Sequence, residues 1–170
     1  TCDPCMGEKT LLQLLDLCQP SQIVSVDPVS CAYARVVAPL IGRFHTAKPN
    51  RMELEILAGM EIRSDADLQR AGEVVLNKGL KRLFVSLGAE GCFYMDDTGA
   101  VLRRKLRPAK MVNASGAGDS FAAAMLYATL QGYDAEKTLD YGIAAVTHER
   151  TINPNMSVPL LESILQTYRL

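Results

Sequence analysis

The chain of 170 residues carries 18 Lys and Arg against 19 Asp and Glu, a formal net charge of −1, with 48% hydrophobic and 22% charged residues. That balance suits one globular domain with a sizeable core. It argues against a broad nucleic-acid-binding face, which needs clustered positive charge. Apolar runs fall short of the roughly 18 residues of a membrane span, and no secretory leader is visible.

Five scattered cysteines, Cys2, Cys5, Cys18, Cys31 and Cys92, fit a reducing compartment and hence the cytoplasm. The "CDPC" stretch at 2 to 5 raises a redox pair or half a zinc site. With no second pair and with His45 and His148 far off in sequence, free thiols near a chain end are the expectation.

In chain order, "EKTLLQLLDLCQ" (8 to 19) has leucines at helical spacing and stops before Pro20. "IVSVDP" (23 to 28) reads as a short buried strand ending in an acid. A helix broken near Pro39 follows, then the extended piece "HTAKPN" and the helix "RMELEILAG". Ser64 is an N-cap candidate for a helix closing near Gly79, with Asp67 completing an imperfect capping box.

"RLFVSLG" (82 to 88) reads as a strand running into a glycine turn, followed by a hairpin turning at Asp97-Thr98-Gly99. Its basic run "RRKLR" (103 to 107) is expected on a solvated edge. Two helices, 116 to 131 and 134 to 150, a Pro/Asn loop and a C-terminal helix complete the chain. Strands alternating with helices of this length imply an α/β fold with a largely parallel sheet.

The stretch "NASGAGDSF" (113 to 121) carries the chemistry. Glycines opening a helix expose unpaired amides at the positive end of its dipole, a ready anion site. No Lys-Ser or Lys-Thr follows, so this is not a Walker A loop, and Phe121 spoils a dinucleotide fingerprint. Asp119 beside such a cradle suits phosphoryl transfer, where a carboxylate accepts the proton of the attacking hydroxyl while amides take up charge; a plain helix cap is the alternative. Asn50 and Glu53, three apart at a helix start, can face a ligand and a magnesium-bound water, or simply cap. Gly88 and Gly91 form a second backbone-rich turn.

Together, "NASGAGDSF", the N-x-x-E of "KPNRMELE" and "SLGAEG" resemble the signatures of the ribokinase-like, or PfkB, kinase family. "VDPVS", "HTAKPNRMELEILAG" and "TINPNMS" resemble its pseudouridine-kinase branch. The resemblance implies a ribokinase-like three-layer α/β/α fold and an ATP- and magnesium-dependent kinase acting on a sugar or nucleoside hydroxyl. Pseudouridine 5′-phosphorylation is the first substrate; ribose, fructose or adenosine are the alternatives.

By that resemblance Asp119 is the base, and the amides of Gly116, Ala117 and Gly118 form the anion hole. Asn50 and Glu53 organise magnesium and phosphates. Ser86, Gly88 and Gly91 line the ATP site, with the 144 to 157 region near the adenine. The carbonyls of Asn113 and Ser115 are candidates for a monovalent cation, K+. Asn113 and Ser115 depart from the usual Asp and Thr, and the small-residue pair before "S-x-P" is missing, which weakens the cation expectation.

Family kinases are about twice this length, so residues 1 to 170 match the C-terminal nucleotide-binding and catalytic part, without the N-terminal half and β lid. The missing half leaves two further expectations: pairing with a second chain as a homodimer, or a silent nucleotide-binding module.

Overall fold

The computed structural model describes residues 1 to 106, 116 to 149, 163 and 166. The described chain separates into two compact units, one of residues 1 to 87 with 93 to 101, the other of 88 to 92 with 102 to 170.

In the first unit, α1 (Glu8–Leu17) buries Leu11 and Leu15, one turn apart on the same face. β1 (Ser25–Val26) is shorter than expected. Pro28 offers no N–H to a ladder, and Val29 turns the chain at φ 64. The Ser30 side chain accepts from the Tyr33 amide and opens α2 (Cys31–Val37). The chain then tightens at Pro39 into a 3-10 segment, Ala38–Arg43.

β2 (Thr46–Ala47) leads into α3 (Arg51–Ala58), which closes on Gly59 in the left-handed conformation. α4 (Asp65–Asn77) starts at Ser64, whose Oγ accepts from the Asp67 amide. Asp67 does not close a full box; its carboxylate accepts instead from Ser64 Oγ and the Arg63 amide.

β3 (Arg82–Ser86) completes a parallel run: β1 pairs with β2 and β2 with β3. β4 (Cys92–Asp96) and β5 (Val101–Arg104) extend the sheet in the order β1-β2-β3-β4-β5. Their connections, too short for a parallel crossover, reverse the chain. The parallel character of the sheet therefore resides in β1 to β3. Leu54, Leu68, Leu83 and Val85 are fully buried in the first unit's core.

In the second unit, α5 (Ala117–Leu130) and α6 (Ala135–Glu149) bury Ala124, Ala128, Tyr141, Ala144 and Ala145 against one another. The small residues allow close helix approach. The basic run begins on β5, the last strand of the described sheet, with Lys105 exposed as expected and Arg103 and Arg104 half-buried in ion pairs. Arg103 Nη2 lies 3.1 Å from Glu90 Oε2, and Arg104 forks to Asp140 Oδ1 at 3.0 Å and Glu136 Oε2 at 3.2 Å. These acids come from distant sequence, which is why the run alone does not announce them.

Cys2 is buried and Cys5 exposed; Cys2 pairs with Val26 as an isolated bridge beside β1. Cys92 is buried as well, and burial pushes its thiol up to about 12. No helix among the described residues is long and apolar enough to cross a membrane.

The tightest backbone approach in the first unit lies at Gly42, where an added Cβ would fall 1.8 Å from the Lys78 carbonyl oxygen. Gly42→Ala is expected to cost about 1–3 kcal/mol through overpacking. A lowered midpoint in urea unfolding checks it; an unchanged midpoint would show that the 42–78 contact yields freely.

Candidate functional site

The first unit gathers polar side chains at the carboxyl ends of its three parallel strands, where open α/β sheets bind ligands. The ladder continues past the strands proper. Lys48 N–H donates to Val26 O at 3.0 Å, Ser86 N–H donates to Pro49 O at 3.0 Å, and Asn50 and Ser86 form an isolated parallel bridge. Asn50 and Ser86, anticipated from separate motifs, are therefore neighbours.

Asn50 and Glu53 form a complete capping box. Asn50 Oδ1 accepts from the Glu53 amide at 2.9 Å, and Glu53 Oε2 accepts from the Asn50 amide at 2.8 Å. The capping expectation and the ligand expectation are both compatible with this geometry. The box uses one oxygen of each side chain and leaves the Asn50 amide nitrogen and Glu53 Oε1 outside it. Glu53 is only 3% exposed, and burial holds its carboxyl above the usual carboxylate range, opposed in part by the Asn50 amide.

Two further residues belong here that the motif reading passed over. Lys48, 4% exposed, places Nζ 2.9 Å from Asp27 Oδ2. Both charges act on the Glu53 carboxyl, Asp27 raising and Lys48 lowering its pKa. The signal lay in the phrases "VDPVS" and "AKPN", but the pairing is non-local and periodicity does not show it.

The second unit carries the glycine turns. Gly88 opens a 3-10 segment, Gly88–Glu90, with φ 59 and open space where a side chain would go. Gly91 differs. At φ 98, a Cβ would fall 1.9 Å from the Arg104 carbonyl oxygen, so its bareness already has a packing cause.

α5 begins at Gly116, φ 82, which has no side chain to cap the first-turn amides. The Ser120 amide donates to Gly116 O at 2.8 Å. Gly116, Gly118 and Asp119 are exposed and Ala117 is half-buried. Asp119 sits in the first turn, at the third helical position. Asn113 and Ser115 lie outside the described residues. So do the Pro/Asn loop and, apart from helical Ser163 and Gln166, the C-terminal helix. Of the 144 to 157 region, only 144 to 149 is described, within α6.

The sequence pattern of the pfkB family carbohydrate kinase matches residues 2–156. The chain belongs to that family. It is 29% identical over 147 residues to the pseudouridine kinase of Escherichia coli strain K12, covering 84% of this chain and 47% of that protein. A structure described as a sugar kinase from Clostridium perfringens superposes with TM-score 0.88 at 32% identity, over 95% of this chain and 52% of that one. The ribokinase of Thermotoga maritima shares the fold, with TM-score 0.80 at 22% identity, over 94% of this chain and 54% of that one. The fold of this pfkB-family chain is therefore ribokinase-like α/β, and the chain spans about half the length of the relatives it matches.

A carboxyl raised by burial makes the folded state hold its proton to higher pH than the unfolded chain does. The wild type therefore loses stability as pH rises from the unfolded value through the folded one. Glu53→Gln keeps a box acceptor but cannot ionise. The difference in melting temperature, variant minus wild type, is expected to grow as pH rises above the ordinary carboxylate range. A flat difference would contradict the burial cost assigned to Glu53.

Proposed function

We propose that this pfkB-family chain is the nucleotide-binding and catalytic part of a kinase that moves the γ-phosphoryl group of ATP to a sugar or nucleoside hydroxyl. Pseudouridine, phosphorylated at its 5′-hydroxyl, is the first substrate to test. The observation that carries the reading is an exposed carboxylate, Asp119, in the first turn of a helix opened by a glycine with no capping side chain.

In this reading Asp119 accepts the proton of the attacking hydroxyl. The amides of Gly116, Ala117 and Gly118 take up charge on the phosphoryl oxygens, an electrostatic contribution fixed before the reaction begins. Lys48 supplies an ammonium to the phosphates, and Ser86 and Gly88 offer a polar edge and open backbone to the nucleotide. Gly91 shapes that turn.

The donor set suits magnesium. Glu53 Oε1 is a hard oxygen left outside the capping box, whereas the one side-chain oxygen of Asn50 already accepts from the Glu53 amide. That pattern fits an ion held by one or two protein oxygens and by nucleotide phosphates. When bound, magnesium would neutralise phosphate charge; Glu53, directly or through a water, would hold it, and the Asn50 side-chain N–H2 would donate to a phosphate. A monovalent cation, K+, at the Asn113 and Ser115 carbonyls rests on motif resemblance alone. The cytoplasm as location and a homodimer as assembly state are parts of the same proposal.

The test is MgATP-dependent phosphorylation by the chain of pseudouridine, ribose, fructose and adenosine, read by phosphorus NMR, with Asp119→Asn as control. Pseudouridine is expected to give the 5′-phosphate. Asp119→Asn is expected to lower turnover by about 10²–10⁴-fold while MgATP binding persists. If Asp119 only caps α5, stability falls by about 0.5–2 kcal/mol with turnover kept. MgATP binding without transfer to any acceptor would favour a silent nucleotide-binding module.

A further inference from the structure

We propose that Asp27 is a positioning residue of the phosphate site, fixing the Lys48 ammonium for a nucleotide phosphate. The inference rests on the kinase reading above. Lysine carries a compact charge on a flexible four-carbon stem, so the stem alone does not define where the charge sits. Here the stem is buried and the ammonium is tied to Asp27 Oδ2 at 2.9 Å.

Asp27 is itself held. Its Oδ1 accepts the Val29 amide at 3.1 Å, and the Ser30 amide donates to Pro28 O at 2.6 Å. Ser30 in turn caps α2. The tight turn from 27 to 30 thus runs from the end of β1 to a helix start and fixes the direction of one carboxylate.

The turn is strained. Val29 lies at φ 64, a conformation that β-branched side chains disfavour. Its side chain is 62% exposed, so core packing does not account for it. Strain of this kind persists where surrounding structure over-determines it, commonly beside a site. At Val29 the direct local consequence is the amide it aims at Asp27.

Lys48 in turn stands two residues before Asn50, which is bridged to Ser86. The anchored ammonium is therefore set in the row of strand ends that the kinase reading assigns to phosphate and magnesium. A bare neutralising pair would need only opposite charges. A positioning pair needs this carboxylate at this place.

Calorimetric titration of the chain with MgATP separates the two, using Asp27→Asn, Lys48→Met and the double variant, with circular dichroism reporting the fold. Asn keeps an acceptor for the Val29 amide and removes the charge. Each single substitution is expected to weaken MgATP binding about tenfold. The double variant is expected to bind no more weakly than Lys48→Met alone, because without the ammonium Asp27 is only a negative charge beside an anion.

Wild-type affinity in Asp27→Asn, or an equal loss from Asp27→Asn in both backgrounds, would overturn the proposal. Should Asp27→Asn fail to fold, Asp27→Glu keeps the charge and displaces it by one methylene. It is expected to fold and still bind weakly, and native affinity there would overturn positioning. A folded wild-type chain that binds no MgATP overturns the kinase reading itself and the proposal with it, before any substitution is made.

Discussion

A carboxylate 3% exposed to solvent, as Glu53 is, persists in a folded chain only when fixed donors replace the water it has lost. At the start of α3 those donors come from the backbone of the preceding strand end. The Asn50 amide bonds Glu53, and Asn50 returns the bond to the Glu53 amide. The box fixes where α3 begins and hence where its buried Leu54 and Leu57 enter the core. It also sets Asn50 opposite Ser86 and leaves Lys48 and Asp27 to balance charge nearby. Helix start, strand alignment and charge arrangement all meet on this one buried acid.

The cost of burying that acid is informative about function. A helix as well packed as α3 could be capped by a serine or aspartate at the surface, as Ser64 caps α4. Keeping an ionisable group under solvent exclusion, with a second carboxylate and an ammonium beside it, disfavours the fold in the absence of a cation or anion. Such arrangements concentrate where a ligand of opposite charge completes them. α5 shows the complementary choice in the other unit: its first turn, begun by an exposed Gly116, has no side chain capping its amides.

Much of this was legible in the sequence. Leucine spacing located α1, Ser64 located α4, Gly116 marked a helix start, and the motif resemblance led to the family that residues 2–156 match. What escaped was non-local. β1 and β2 hold two residues each, too short for alternation to register, so the Asp27–Lys48 pair between their ends was invisible. The pairing of Arg103 and Arg104 with Glu90, Glu136 and Asp140 escaped for the same reason. At Gly91 backbone crowding by Arg104 requires a bare residue, a non-local cause that the motif does not show.

On the proposed reading, the strand-end cluster of the first unit binds the phosphates of a magnesium nucleotide. Amide chemical-shift mapping of the chain during titration with MgATP, without acceptor, tests it most directly. The largest shifts in the first unit are expected at 48 to 53 and at 86, saturating at one affinity. Saturable shifts confined to other segments, or a folded chain whose spectrum does not change, would contradict the account.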